Sequence, residues 1–537
     1  MTHTTAIHPS PGASRADAIS QTGPPAQQFR SLDRISWLWL GIGLALLPFS
    51  TVHAELSLAA WLAPIFIMRF ARTQSIRLGL PVVLLVSGAA LAFAWRDFFP
   101  GTPFGPVLGF GYGLAFSIAY IADRLLSPRL SGLARTLVFP LAVTTVDWSA
   151  SHIELLGSYG SPAYTQAADL PLLQVVSVTG IWGLTFLIHW LAPVANAVWE
   201  LENASNWRTV RFSAGAFGGV LVAVLLFGSA RMAFFPPSGP TVRVAALADT
   251  RDRYRPVEPE FFVLTPGTPD QRASFHSQAA PLLEELFIRT EQQARSGAQL
   301  VSWFEDAAII LKEDEPAAIE RGREIARREG IYLEMGLLVI LPSDHYPFQQ
   351  NRAVLIDPAG QVVWTYDKTH PTPGPESAFT LPGAGVVPIT ETPFGRIASV
   401  ICFDLDFPRL LRQVGQAHAD VLIAPSLDWD TAKYSHAQLA TVRAVENGVS
   451  LLRPSGDGLS QAIDHQGRVL AAVDSFATEK AFFVTSVPAR GVATIYPVIG
   501  DSFAYLCILS LAALGAMALL RRRAAVSLPT IPVPSPA

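Results

Sequence analysis

The sequence predicts a membrane protein of two parts, a multi-span α-helical membrane domain and a water-soluble α/β domain. Half of the 537 residues are hydrophobic and only 15% are charged, against about 25% in an ordinary soluble protein. Apolar runs fill residues 35–232 and return at 499–520, whereas charged residues are spread through 241–490. At roughly 100 to 200 residues per domain, the length allows about three compact units.

Charge and composition exclude several classes of protein. The net charge is −4, from 39 basic and 43 acidic residues, and no basic block could neutralise a run of phosphates, so we predict no nucleic-acid partner. The chain has two cysteines and 11 histidines, without a Cys-rich zinc motif or a His-Glu-x-x-His pair. We therefore predict no metal and no cofactor.

The two ends of the chain differ from the rest. Residues 1–34 are rich in Ser, Thr, Pro, Gly and Gln and lack hydrophobic periodicity, which is typical of a disordered tail. The first apolar run begins near Ile35 and leads into another, which predicts an uncleaved membrane anchor. Residues 521–537 form a second predicted tail.

Residues 35–232 predict seven membrane spans, since a bilayer core needs about 20 apolar residues per helix. An eighth span is predicted at 499–520. Small residues four apart, at Gly109 with Gly113 and at Gly215 with Gly219, predict close packing between helices. The seven predicted spans are centred near Leu44, Ala63, Leu85, Leu114, Leu141, Phe186 and Val222.

Arginines predict the orientation, because positively charged short loops stay in the cytoplasm. They fall on alternate connections, so both tails are expected in the cytoplasm and residues 241–490 outside it. The short connections on the other side hold only Arg96. The arginines on the predicted cytoplasmic side are Arg15, Arg30, Arg34, Arg69, Arg72, Arg77, Arg124, Arg129, Arg135, Arg208, Arg211, Arg521, Arg522 and Arg523.

Residues 241–490 alternate strand patterns with amphipathic helices, which is typical of an α/β domain. Asp and Gly at turn positions predict hairpins at 356–362 and 463–469. Strands are predicted at 242–248, 299–304, 331–341, 353–356, 397–402 and 421–424. Helices are predicted at 274–295, 317–328 and 435–447.

Three residues at strand ends could perform chemistry. Cys402 ends an apolar strand, where a thiol is well presented, although a free Cys is more often a buried small hydrophobe. Glu305 follows Trp303-Phe304, which should raise its pKa as a general base requires, although a helix cap is an alternative. Lys368 has a compact positive charge that could stabilise an oxyanion, and the alternative is that it is an exposed lysine in a turn. Cys507 lies in a predicted membrane helix and is expected to be structural.

In this order, the three residues and their neighbours resemble the nitrilase (carbon-nitrogen hydrolase) superfamily. The resemblance implies an αββα sandwich and a catalytic Glu-Lys-Cys triad, with Glu305 as base, Lys368 at the oxyanion and Cys402 as nucleophile. It also implies that Glu376, eight residues after Lys368, helps to position the site. The segment 443–448 resembles the helix that follows the nucleophile region.

A nitrilase-like domain between seven spans and one more resembles the bacterial apolipoprotein N-acyltransferase family. The resemblance implies acyl transfer from a phospholipid, through the cysteine, to the N-terminal amine of a diacylglyceryl-cysteine lipoprotein. Membrane lipids are then partners, and the expected location is the bacterial inner membrane. The backbone N–H of Phe403 is expected to help Lys368 hold the oxyanion, and Phe403 and Trp429 are expected to screen the site from water.

The chain departs from that family's usual motifs around the site. Phe403-Asp404 stands where the family usually has Tyr-Glu, and 374–377 reads Gly-Pro-Glu-Ser where it usually has Phe-Gly-Glu-Tyr. Residues 425–430 are Pro-Ser-Leu-Asp-Trp-Asp in place of Asn-Asp-Ala-Trp-Phe-Gly. Two alternatives therefore stay open: a membrane-anchored amidase acting on a small extracytoplasmic amide with the same triad, and a non-catalytic membrane scaffold.

Overall fold

A helical bundle and a two-sheet α/β domain make up the described part of the chain. The structure, a computed structural model, describes residues 34–51, 56–98, 103–153, 155–201, 207–250, 267–342, 346–478 and 481–526. The predicted tail at 1–34 lies outside these residues except for Arg34, and so does the tail at 521–537 beyond residue 526.

The bundle has a helix at each of the seven positions where the sequence predicts a span, and a further helix, Ser502–Val526, near the C-terminal end. Pro64, Pro81, Pro140 and Pro193 lie inside four of these helices. The first nine helices are α1 (Arg34–Leu46), α2 (Ala59–Thr73), α3 (Ile76–Ala94), α4 (Phe104–Leu126), α5 (Leu133–Ser151), α6 (Leu170–Leu173), α7 (Val176–Thr179), α8 (Ile181–Trp199) and α9 (Trp207–Phe234).

Five helices among the described residues are long and apolar enough to cross a membrane. They include α3, α4, α8, α9 and the C-terminal helix. By contrast, α1 and α2 have 13 and 15 residues, and α5 contains Arg135 and Asp147. The count of seven spans plus one therefore stays a prediction.

One of the two predicted glycine contacts is confirmed. A Cβ at Gly109 would lie 2.4 Å from the Leu91 carbonyl oxygen, and one at Gly113 would lie 2.6 Å from that of Ser87, so α3 and α4 approach closely because Gly is there. The prediction for Gly215 and Gly219 is wrong, since a Cβ at either would meet no described atom within 4 Å. Only 11% of the most apolar stretch of α9 is buried within the described structure, and Gly215 and Gly219 lie on its exposed surface.

The α/β domain contains two large mixed sheets. The strands of this domain are β1 (Thr241–Leu247), β2 (Leu300–Trp303), β3 (Ala308–Leu311), β4 (Tyr332–Ile340), β5 (Gln349–Ile356), β6 (Val362–Asp367), β7 (Ile389–Thr392), β8 (Gly395–Ser399), β9 (Val421–Ile423), β10 (Ser426–Leu427), β11 (Ser450–Arg453), β12 (Ser455–Gly456), β13 (Leu459–Ile463), β14 (Val469–Asp474) and β15 (Phe482–Pro488). The first sheet has the order β15-β1-β2-β4-β5-β6 with β3 beside β4, and the second sheet has the order β14-β13-β11-β9-β8-β7.

The two sheets pack face to face with helices on their outer sides, which confirms the predicted αββα sandwich. Val244 and Leu355 of the first sheet share a buried cluster with Ile397 and Ile423 of the second. A second cluster lies between the first sheet and two helices, and a third joins the second sheet to the bundle. The helices of this part and the C-terminal helix are α10 (Pro269–Arg295), α11 (Glu315–Glu329), α12 (Pro375–Phe379), α13 (Pro408–Gln416), α14 (Lys433–Asn447), α15 (Tyr496–Ile499) and α16 (Ser502–Val526).

The predicted strands, helices and hairpins of this domain are present, with some ends displaced. The two hairpins are confirmed, and Gly360 and Gly467 take positive φ values of 75° and 86° in their turns. The strand predicted at 397–402 ends at Ser399, because the chain turns sharply at Cys402. Short strands such as β3 and β7 have four residues each, too few for a clear alternating pattern.

The α/β domain is joined to the bundle by buried polar contacts. Arg443 of α14 is fully buried, donates a hydrogen bond of 2.7 Å to the Ser158 hydroxyl and also contacts the Tyr164 hydroxyl and Glu446. The Ser158 backbone N–H donates to the Asp406 carbonyl oxygen at 2.8 Å. Because a buried guanidinium is costly unless it is paired, these contacts fix the domain against the connection between α5 and α6.

Candidate active site

Strand directions bring the predicted site residues to one edge of the sandwich. In the first sheet β2 is parallel to β4, β5 is antiparallel to both, and β6 is antiparallel to β5, so β2 and β6 run the same way. Glu305 follows β2 and Lys368 follows β6, at the same edge of that sheet. Cys402 follows β8 of the second sheet, and its thiol faces the same space.

Lys368 lies at the centre of a buried polar cluster. Its ammonium Nζ is 2.7 Å from Glu305 Oε1 and 2.8 Å from each oxygen of Glu376. Asn351 Nδ2 donates to both carboxylates, at 2.6 Å to Glu305 Oε1 and 3.1 Å to Glu376 Oε1. The Lys368 side chain is 1% exposed, which excludes the alternative of an exposed turn lysine.

The thiol of Cys402 is held in a strained turn against Glu305. Cys402 has φ of 45°, in the left-handed region that non-glycine residues rarely adopt, at the start of a 3-10 turn. The thiol donates to the Leu427 carbonyl oxygen, with Sγ 3.6 Å from that oxygen, and it lies close enough to the Glu305 carboxylate for the Glu305 charge to raise the pKa of the thiol. Cys402 therefore belongs to the buried cluster between the two sheets, with its sulfur next to Leu427, the residue whose backbone N–H also contacts Glu305.

The segment Pro425 to Leu427 connects Glu305 to Cys402. The Leu427 backbone N–H donates to Glu305 Oε2 at 2.7 Å, and the Cys402 backbone N–H donates to the Pro425 carbonyl oxygen at 2.8 Å. Glu305 N–H donates in turn to the Ser426 carbonyl oxygen at 3.3 Å. One segment therefore sets the distance between Glu305, from the first sheet, and Cys402, from the second.

The two carboxylates beside Lys368 have pKa values pushed in opposite directions. Burial raises the pKa of Glu305, against the attraction of Lys368, and repulsion by Glu376 adds to the rise. Burial also acts to raise the pKa of Glu376, but Lys368 and the Thr372 backbone N–H outweigh it and lower that pKa. Such a pair separates acid–base roles: Glu376 stays ionised beside the ammonium, and Glu305 can accept a proton.

The cation and the thiol have raised pKa values. Burial acts to lower the pKa of Lys368, but Glu305 and Glu376 outweigh it, so that pKa is well above its ordinary value and the lysine stays charged. Burial and the Glu305 charge raise the pKa of the Cys402 thiol, against Lys368 and Arg453. The resting group is therefore a thiol, which needs a base to become a nucleophile.

Sequence reasoning missed two residues that organise the site. Asn351 lies near the start of β5, where an antiparallel strand reaches the same edge, and the polar run at that strand start, Gln-Gln-Asn-Arg, gives no local signal for its role. Asp404 is fully buried and accepts hydrogen bonds from the Tyr366 hydroxyl at 2.7 Å and the His370 backbone N–H at 2.9 Å. It thereby ties the Cys402 turn to the Lys368 loop, and its place in the motif after Cys402 was the signal.

The two predicted screening residues lie on the side of the site that faces the bundle. Phe403 is 2% exposed and packs edge-on against Phe407, with ring centroids 5.3 Å apart. Trp429 packs edge-on against Phe98, which follows α3, at 5.2 Å, and against His436 at 6.0 Å. An aromatic surface therefore joins the site to the end of the helical bundle.

A second polar cluster flanks the thiol. Cys402, Asp428 and His436 each have a donor atom within 4.8 Å of the others, which is the spacing of a metal site. However, Asp428 accepts two hydrogen bonds from Arg453, at 2.7 and 2.9 Å, and its Oδ1 is 2.7 Å from His436 Nδ1. A cation there would have to displace the buried guanidinium of Arg453, so these residues do not fit a metal and instead place a fixed ion pair beside the sulfur.

Comparison with known proteins matches both parts of the chain. The family model for the carbon-nitrogen hydrolase domain matches residues 270–495, and that for the apolipoprotein N-acyltransferase N-terminal domain matches 41–194. The apolipoprotein N-acyltransferase of Geobacter metallireducens is 26% identical over 437 residues, which are 75% of this chain and 78% of that protein. The one of Bradyrhizobium diazoefficiens is 25% identical, over 81% of each chain.

Amidases match a smaller share of the chain. Human deaminated glutathione amidase is 31% identical over 236 residues, which are 38% of this chain and 70% of that protein. Among solved structures, an amidase from Nesterenkonia sp. is 20% identical, covering 50% of this chain and 96% of that one with a TM-score of 0.38. The two family models match in the expected order, and N-acyltransferases match most of the length; the chain belongs to the apolipoprotein N-acyltransferase family of the carbon-nitrogen hydrolase superfamily.

Proposed function

We propose that this enzyme moves a fatty acyl chain from a membrane phospholipid, through a thioester on Cys402, to the N-terminal amine of a diacylglyceryl-cysteine lipoprotein. One observation supports this most. The buried thiol, carboxylate and ammonium lie in a domain whose core is continuous with the membrane helices: Phe403 shares one buried cluster with Trp95 and Trp182. A soluble amide substrate would not need that junction, whereas lipid chains cannot cheaply leave the bilayer.

In the first half-reaction Glu305 removes the thiol proton as the sulfur attacks the ester carbonyl of the phospholipid. Lys368 and the Phe403 backbone N–H stabilise the oxyanion that develops on the carbonyl oxygen. Collapse of this intermediate breaks the ester C–O bond, and protonated Glu305 returns the proton to the leaving lysophospholipid oxygen. The product is an acyl thioester on Cys402.

In the second half-reaction the N-terminal amine of the lipoprotein attacks the thioester. Glu305 accepts a proton from the nitrogen, the C–S bond breaks, and the proton ends on the sulfur. Lys368 again faces the oxyanion, and Glu376 keeps the ammonium in place throughout. Water must compete poorly with the amine, which is the role we assign to the aromatic surface formed by Phe98, Phe403 and Trp429.

We further propose that the α/β domain lies on the extracytoplasmic side of the bacterial inner membrane. The support is the alternation of arginines along the chain and the length of the described helices. Reporter fusions after Ser238 and near Arg490 should both report an extracytoplasmic position, and a fusion after Arg523 a cytoplasmic one. A cytoplasmic signal after Ser238 would overturn the count of seven preceding spans.

The experiment for the overall reaction uses the purified full chain in phospholipid vesicles with a diacylated peptide whose N-terminal cysteine amine is free. Intact-mass analysis should show one added acyl chain on the peptide, and none on a matched peptide with an acetylated amine. An amidase would leave both peptides unchanged and release ammonia or an amine from small amides. A scaffold would do neither, and both of these outcomes contradict the proposal.

A further inference from the structure

The end of the helical bundle away from the α/β domain contains a cavity of about 430 Å³ between the ends of α2, α4, α5 and α8. Four arginines and two acids supply its charges. Both carboxylates already form ion pairs with arginines of the cavity, and the net charge of the lining residues is positive. The charged residues that line the cavity are Arg69, Arg72, Arg124, Arg135, Asp123 and Glu200.

Hydrogen bonds and ion pairs neutralise both carboxylates of the cavity. Arg72 holds Asp123 with two bonds of 2.8 Å, from Nε to Oδ2 and from Nη2 to Oδ1. Glu200 is shared by three arginines: Arg135 Nη2 at 2.8 Å, Arg72 Nη1 at 3.4 Å and Arg69 Nη1 at 3.8 Å. Two carboxylates therefore face four guanidinium groups, which leaves two positive charges without a counter-ion among the residues that line the cavity.

Two donors point to where an anion would bind. Arg124 forms no ion pair among the described residues, and its Nη2 donates only to the Gln74 carbonyl oxygen at 3.2 Å. The Nε atoms of Arg124 and Arg135 are buried without a hydrogen-bond partner in the described part of the chain. Since arginine stays charged and fits phosphate oxygens with two parallel bonds, the chemistry of this cavity favours a phosphate group.

The surroundings identify the source of that phosphate as a lipid. Trp199 lines the cavity, is 40% exposed and lies under the Arg69 guanidinium at 5.2 Å, in the manner of aromatic residues at a membrane interface. Helix α3 begins next to Arg72 and ends near Phe98, which contacts the α/β domain. Its 19 residues span roughly 28 Å at 1.5 Å per residue, so the cavity faces the leaflet opposite to Cys402.

We propose that this cavity binds the phosphate headgroup of an anionic phospholipid from the leaflet opposite to the active site. The bound lipid is therefore distinct from the acyl donor. It neutralises the surplus charge and holds together the ends of α2, α4 and α5. Basic pockets between membrane helices suit such headgroups.

The test compares the full chain in nanodiscs of phosphatidylcholine alone, of phosphatidylcholine with phosphatidylglycerol, and of phosphatidylcholine with added inorganic phosphate. Phosphatidylglycerol should raise the melting temperature and stay bound in native mass spectrometry. Arg124→Gln should weaken that binding roughly five- to tenfold while melting like the wild type in phosphatidylcholine alone. Arg77→Gln is the matched control, because Arg77 is exposed at the same end of the bundle and does not line the cavity.

Three outcomes would overturn the proposal. The first is equal retention of phosphatidylcholine and phosphatidylglycerol by the wild type. The second is an equal loss of binding in Arg77→Gln and Arg124→Gln, which would indicate only the general attraction of a basic surface. The third is full stabilisation by inorganic phosphate without retained lipid, which would assign the cavity to a soluble anion.

Discussion

The turn that positions Glu305 depends on a glycine in the neighbouring strand. Gly336 lies in β4, and a Cβ built on it would be 2.0 Å from the Phe304 carbonyl oxygen and 3.4 Å from the Glu305 Cα. Both are backbone atoms, so the contact cannot be relieved by rotating a side chain. Gly336→Ala should therefore displace the base without changing any catalytic group.

The size of the effect follows from that distance. Non-bonded heavy atoms need roughly 3.5 Å between them, so the methyl group and the carbonyl must separate by roughly 1.5 Å. Glu305 reaches Lys368 and the Leu427 N–H at 2.7 Å each, and neither bond survives such a shift. A misplacement of about 1 Å can reduce a rate by about 100-fold, which is the loss we expect in acylation of Cys402.

The assay measures the rate of acyl-enzyme formation by intact mass after mixing the purified protein with phospholipid. Thermal unfolding of the same samples identifies variants that have simply lost the fold. Gly215→Ala is the matched control, since a Cβ there meets no described atom within 4 Å, and its rate should equal that of the wild type. A folded Gly336→Ala protein acylating at the wild-type rate would refute this reasoning.

Four further predictions concern individual side chains. Glu305→Gln should keep the fold and reduce the acylation rate, measured as acyl-enzyme formed per second, by roughly 10²- to 10⁴-fold. In the wild type the same rate should decrease as the pH falls through the raised pKa of Glu305. Lys368→Arg should also fail in the same assay, because a planar fork cannot replace a point charge held by two carboxylates; retained turnover would contradict the oxyanion role. Cys507→Ala, in α16, should leave the rate within about twofold of the wild type, since acylation needs a base beside the thiol. Burial raises the pKa of the Glu334 carboxyl to about 7, so the folded state binds this proton more tightly than the unfolded chain, and the free energy of unfolding decreases as the pH rises towards 7. Glu334→Gln should remove up to roughly 3 kcal/mol of this pH-dependent decrease, measured by denaturation between about pH 5 and pH 8. A Glu334→Gln variant with the pH profile of the wild type would contradict the prediction.

Local patterns predict the α/β domain and the position of each site residue after a strand, whereas the sandwich and the clustering of the residues follow from the family resemblance. Glu305 and Cys402 each follow an apolar run, at the kind of strand end where α/β proteins gather functional groups, but the two strands belong to different sheets. Lys368 was a weaker inference, since its strand β6 has a mixed burial pattern. The family resemblance, and not the strand pattern, joined it to the other two.

What the sequence could not predict depends on contacts between distant segments. Asn351 acts through its amide at the start of an antiparallel strand, and nothing local to the Gln-Gln-Asn-Arg segment indicates that both carboxylates meet there. The docking of Arg443 onto Ser158 joins residues 285 positions apart. The finding that a Cβ at Gly215 meets no described atom within 4 Å likewise depends on which face of α9 meets the bundle, and a four-residue spacing does not encode that.

The central claim is that Cys402 becomes acylated by a membrane phospholipid, and the direct measurement is mass spectrometry of the protein after incubation with phospholipid alone. The account predicts one fatty acyl group on the peptide that contains Cys402, removed by hydroxylamine as thioesters are, absent from Cys402→Ala and discharged by a diacylated peptide with a free amine. A folded, membrane-reconstituted protein that never forms this adduct, or an adduct that persists in Cys402→Ala, would contradict the account.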